Sequence, residues 1–141
     1  MKILSTKVHG ILDYLMGAVL IASPWIFGFK SDNAGAEAWV PILLGIGLIL
    51  YSVMTNYEYG LTDNISVKAH MILDVIGGLF LAASPWIFGF ADQIYLPHVI
   101  LGALEVGAAL MTESSPSRET NTRRYEDRMH TRTHHHRPAH G

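Results

Sequence analysis

Two histidine–aspartate pairs are the residues of this chain best suited by type and spacing to do chemistry. They are His9 with Asp13 and, 61 positions on, His70 with Asp74. Residues four apart meet on one face of a helix, so each imidazole can reach its carboxylate. Such pairs can hold a proton, ligate a divalent metal or join two helices. A third carboxylate, Glu105, lies in a similarly apolar stretch. The chain has no cysteine, which excludes disulfides, thiolate metal sites and cysteine nucleophiles. It also has no nucleotide-binding loop and no nucleophile–base signature, so no enzyme and no cofactor are expected.

The elements that must position these residues come from a repeat. Residues 5–29 and 66–90 align without a gap and agree at 16 of 25 positions. From Val8 to Phe29 is 22 residues, about 33 Å as a helix, which crosses a bilayer. A basic start followed by an apolar run resembles a secretory signal. Yet Asp13 interrupts the run and the segment recurs at 66–90, so a retained transmembrane helix is expected. Of the 141 residues, 50% are hydrophobic and 16% charged, well under the roughly 25% charged of soluble domains. The net charge of -2 gives no pull towards nucleic acid.

Each repeated helix precedes a second apolar run, from Trp39 to about Met54 and from Tyr95 to Met111. The expected fold is all-α: four transmembrane helices in two parallel-repeat hairpins. The first repeat is residues 1–60, with helices at about 8–29 and 39–55. The second is 61–112, with helices at about 67–90 and 95–112. Residues 113–141 lack apolar periodicity and read as a disordered polar tail. Its His130, His134, His135, His136 and His140 suit a soft metal, or are a solvated arginine- and histidine-rich tail. Lys2, Lys7, Lys68 and six arginines fall on one side, and Lys30 alone on the other. The positive-inside rule puts 2–7, 56–66 and 113–141 in the cytoplasm, and 30–38 and 91–94 outside.

On a helical wheel, His9, Asp13, Gly17, Leu20 and Pro24 fall within about 80°. The second copy keeps all five types, as His70, Asp74, Gly78, Leu81 and Pro85, whereas Tyr14/Val75 and Ala18/Leu79 differ. A face kept in both copies is a packing face. Asp13 and Asp74 each lie about 9 Å along the helix from a lysine, and Glu105 about 10 Å before Thr112. The five ionisable groups are therefore expected at one depth, with helices 1 and 3 facing each other. Three readings follow: a structural pair complementing its helix dipole, a proton or cation pathway, or a metal or haem site. Glu105 has Leu48 as its counterpart in the first half, so repeat packing does not require it.

Ser23-Pro24-Trp25 and Ser84-Pro85-Trp86 have a structural explanation. The proline leaves the carbonyl four residues back without a donor, the serine hydroxyl can satisfy it, and the tryptophan anchors at the outer interface. These motifs, with the His-x-x-x-Asp before each and Thr55-Asn56-Tyr57-Glu58 between the halves, resemble the SPW-repeat family of small bacterial integral membrane proteins. The resemblance covers about residues 5–112. It implies a multi-pass protein of the bacterial inner membrane with four helices, and no activity. The expected function is a non-enzymatic structural or assembly module in the lipid bilayer, with a proton or cation transporter as the alternative. A second copy or another membrane protein is the partner class left open.

Overall fold

Ser5 and Ser66 begin the two repeats by capping helices: Ser5 Oγ accepts from Val8 N at 3.3 Å and Ser66 Oγ from Ala69 N at 3.2 Å. In the computed structural model, which describes residues 3–29, 35–62 and 64–112 together with Glu126 and Met129, the chain forms four helices. They are α1 (Thr6–Ile26), α2 (Ala36–Val53), α3 (Val67–Ile87) and α4 (Leu96–Met111). No strand occurs among the described residues, so the fold is all-α as expected. Lys30, most of the 30–38 loop and the histidine-rich tail lie outside the described residues.

Both repeated helices stop at Ile26 and Ile87, three residues earlier than the apolar runs suggest. Gly28 and Gly89 cause this: their φ of 70° and 72° belongs to the left-handed region that ends a helix. At α3 the termination is complete, with Phe90 N donating to Pro85 O at 2.8 Å. The prolines neither end the helices nor leave carbonyls bare. Ser23 Oγ donates to Leu20 O at 2.8 Å and Ser84 Oγ to Leu81 O at 2.7 Å, filling the positions the proline nitrogens cannot. α2 starts earlier than expected, at Ala36, because Glu37 Oε1 accepts from Gly35 N at 3.0 Å.

α1 packs chiefly on α2 and α3 chiefly on α4, while contacts between the hairpins are sparse. Each hairpin closes on a glycine pair. A Cβ on Gly45 would lie 2.7 Å from Gly17 O, and one on Gly78 2.7 Å from Gly102 O. The hairpins are then stapled at one end. Leu4 N donates to Met111 O at 3.0 Å, and Ile65 N to Met54 O, also at 3.0 Å. These are equivalent bonds of a two-fold repeat, each tying the start of one hairpin to the end of the other.

The outer faces carry Leu15, Leu43, Ile76 and Leu104, all more than half exposed. α1, α2 and α3 are long and apolar enough to cross a membrane, and α4 is a shorter apolar helix of 16 residues. Trp25, Trp39 and Trp86 are exposed at the end opposite the staples. Such a surface suits hydrocarbon with an aromatic belt at one interface.

Candidate functional site

α1 and α3 lie across the bundle from each other, where the helix backbones scarcely touch. Four side chains fill that diagonal: His9, Asp13, His70 and Asp74, each at most 2% exposed. His9 Nε2 lies 3.2 Å from Asp13 Oδ1 and 3.0 Å from Asp74 Oδ2. His70 Nε2 lies 3.0 Å from Asp13 Oδ2 and 3.3 Å from Asp74 Oδ2. Each imidazole thus touches both carboxylates, and the shorter contacts run between helices rather than within them. The dipole account does not hold, since neither helix has an acidic residue in its first turn.

The second helix of each hairpin closes the quartet from outside. Thr55 Oγ1 donates to Tyr51 O at 2.7 Å, and Thr112 Oγ1 to Ala108 O at 2.6 Å. A hydroxyl has one hydrogen, so each threonine must accept from its histidine. His70 Nδ1 donates to Thr55 at 2.7 Å and His9 Nδ1 to Thr112 at 3.0 Å. Both rings therefore carry hydrogen on Nδ1 and turn Nε2 to the carboxylates. Tyr51 OH donates to Asp74 Oδ1 at 2.6 Å, and Tyr57 OH to Asp13 Oδ2 at 3.4 Å. In the connecting segment, burial above all pushes the Tyr57 hydroxyl well above the usual tyrosine range, and the Asp13 charge adds to this. It remains a donor.

Glu105 is 7% exposed and has no hydrogen-bond or ion-pair partner among the described residues. It lines two apolar grooves between the hairpins. One, of about 500 Å³, runs past Asp13, Met16 and Leu104; the other, of about 240 Å³, runs past Leu44, Tyr51 and Gly77. Beside the histidines, by contrast, the void bounded by Thr6, Tyr57 and Met71 is too narrow for a water molecule. The two imidazole rings are 5.5 Å apart and edge to face, so a haem does not fit between them.

Trp25 and Trp86 sit at the opposite end with their Ser-Pro turns, apart from the quartet. That end also holds a residue the sequence reading missed. His98 Nε2 donates to Glu37 O at 3.0 Å, and its ring packs on Phe90 and Phe29. Thr55, Thr112, Tyr51 and Tyr57 were missed as well. The threonines carried a signal, because Met54-Thr55 recurs as Met111-Thr112 at the end of each repeat.

No curated protein and no solved structure matches the chain. The model of the SPW repeat domain matches residues 7–112, a span that holds both His–Asp pairs, both Ser-Pro-Trp turns and both closing threonines, and the chain therefore belongs to the SPW repeat family.

Proposed function

We propose that this membrane protein is a non-enzymatic module whose His–Asp quartet locks two hairpins into one bundle. The observation that carries the reading is the crossed pairing: each histidine touches both aspartates across a diagonal where backbones barely meet. With sparse packing between hairpins, polar links carry much of the join: the quartet with its threonine and tyrosine partners and the backbone staples at one end, and the His98–Glu37 bond at the other. The burial of all four side chains, with a void on the histidine side too narrow for water, also suits a structural role better than catalysis, which needs an open position. The lysines near the quartet end, Lys7 and Lys68, support a cytoplasmic location for that end and for both termini in a bacterial inner membrane. Its immediate partner is the lipid bilayer, and a second copy or another membrane protein would meet the apolar outer faces.

A proton or cation pathway is the second reading, favoured by Glu105. This carboxyl has no hydrogen-bond or ion-pair partner among the described residues and lines both grooves close to the quartet, and intramembrane carboxyls commonly serve ion movement. Thermal unfolding in detergent and proton flux in liposomes separate the two. The lock reading expects Asp74→Asn to lower the melting temperature, with wild-type liposomes no leakier than empty ones. An unchanged melting temperature overturns the lock, and a wild-type proton flux lost in Asp74→Asn puts transport in its place.

A further inference from the structure

The quartet has the features of a metal centre. The two threonines fix hydrogen on both Nδ1 atoms, so each imidazole turns its Nε2 to the carboxylates and, unless a second proton sits there, presents them a lone pair. Two lone pairs facing two carboxylates repel unless something positive lies between them. Two protons would serve, and so would one divalent cation. His70 Nε2, on a side chain with no exposure, makes no hydrogen bond even though carboxylate oxygens lie within 3.0 and 3.3 Å. It is a buried donor atom pointing into the cluster and left unsatisfied.

The spacing fits an ion as well. Ligands at about 2.0 to 2.1 Å from a tetrahedral metal stand about 3.3 Å from each other. The four nitrogen–oxygen contacts here are 3.2, 3.0, 3.0 and 3.3 Å, with Asp13 meeting each histidine through a different oxygen, and one ligand atom from each residue lies within 4.8 Å of the others. The outer shell is of the kind that steadies metal ligands. Each histidine donates its other N–H to an oxygen, and each carboxylate accepts from a tyrosine.

We propose that His9, Asp13, His70 and Asp74 bind one divalent transition metal of the zinc type in a closed, structural site. Two imidazoles with two carboxylates suit a borderline cation. They offer too few oxygens for calcium or magnesium and no thiolate for a soft ion. All four ligands come from protein, which leaves no position for substrate. The ion sits on the diagonal between α1 and α3, neutralising two buried carboxylates.

The test uses the full chain in detergent with His130, His134, His135, His136 and His140 changed to alanine, which removes the tail as a competing chelator. The protein is equilibrated with Zn²⁺, desalted and analysed for metal; Co²⁺ serves as the spectroscopic probe. About one Zn²⁺ per chain is expected, with the intense visible absorption of tetrahedral Co²⁺. His98→Gln keeps both signals, Asp74→Asn loses both, and Thr55→Val weakens affinity roughly 10- to 100-fold. Thr55→Val decides the matter if Asp74→Asn fails to fold. A wild type without metal, an octahedral Co²⁺ spectrum, or unchanged affinity in Thr55→Val overturns the proposal. The inference goes beyond the lock reading: a metal-free chain that melts no lower than one given Zn²⁺ removes the ion and leaves the ion-pair lock standing.

Discussion

The two hairpins match where they meet and differ where they do not. At the staple end the core polar elements are paired: His9 and His70, Asp13 and Asp74, Thr55 and Thr112, the two backbone bonds at 3.0 Å. Further along the bundle the match breaks. Leu48, 2% exposed, holds the place in the first hairpin that Glu105 holds in the second. The tyrosines are one-sided too, since Tyr51 and Tyr57 both come from the first half and its connection yet serve one aspartate each. Symmetry marks what the repeat needs in order to close. Its loss marks what one half does alone.

The largest effect comes from breaking the symmetric set. Asp74→Asn leaves the histidines with one carboxylate fewer in a buried site, and loss of one partner of a buried pair costs about 3–5 kcal/mol. Changing His70 and Asp74 together, to glutamine and asparagine, removes one charge of each sign and should cost less than Asp74→Asn alone. Unfolding in detergent measures both. A double variant less stable than the single one would break the charge-pair account of the lock.

The asymmetric pair gives the next effect, with opposite signs in the two halves. Leu48→Glu puts a carboxyl with no partner into the apolar core and should cost about 2–4 kcal/mol. Glu105→Leu removes such a carboxyl and should leave stability unchanged or raise it by about 1 kcal/mol. Equal losses in both directions would mean that Glu105 is bound to something that holds it in place.

Much of this was legible in sequence because helical periodicity is local. The i,i+4 spacing put His9 and Asp13 on one face, and the ungapped repeat gave the second face and the parallel arrangement. The crossed contacts were not legible, since which carboxylate a histidine prefers depends on the distance between helices. Helix ends at Ile26 and Ile87 were misjudged because Phe27 and Phe29 are apolar, while the backbone angle at Gly28 decides the matter. Tyr51 and Tyr57 carried no signal of their own: Tyr51 reaches Asp74 from within α2, and Tyr57 reaches Asp13 from the segment after it, contacts that only the tertiary packing sets.

A smaller effect tests whether the threonines are equivalent. Thr55→Val and Thr112→Val each delete one hydroxyl that accepts from a histidine and donates to a carbonyl. Interhelical hydrogen bonds in membranes are worth about 0.6 kcal/mol on average, so each change should cost about 0.5–1.5 kcal/mol. Thr55 should cost the more, given its shorter contact of 2.7 Å against 3.0 Å. Amide hydrogen exchange in α1 and α3 reports which histidine has loosened.

The smallest effect appears only in alkali and concerns Tyr57. Burial raises its pKa in the folded state, while in the unfolded chain it titrates near 10. Below that pH both states carry the phenolic proton, and the raised pKa has no influence on the pH dependence of stability. Above it the unfolded chain releases the proton and the folded chain keeps it, so unfolding gains free energy at about 1.4 kcal/mol per pH unit. Tyr57→Phe removes this slope. The variant should lose under about 1 kcal/mol at neutral pH, because its bond to Asp13 is long at 3.4 Å. Between pH 10 and 11 its stability should fall less steeply than that of the wild type. Parallel alkaline profiles for Tyr57→Phe and wild type would show that the loop tyrosine is not sealed against the quartet, and that the cluster opens to water from the side of the connecting segment.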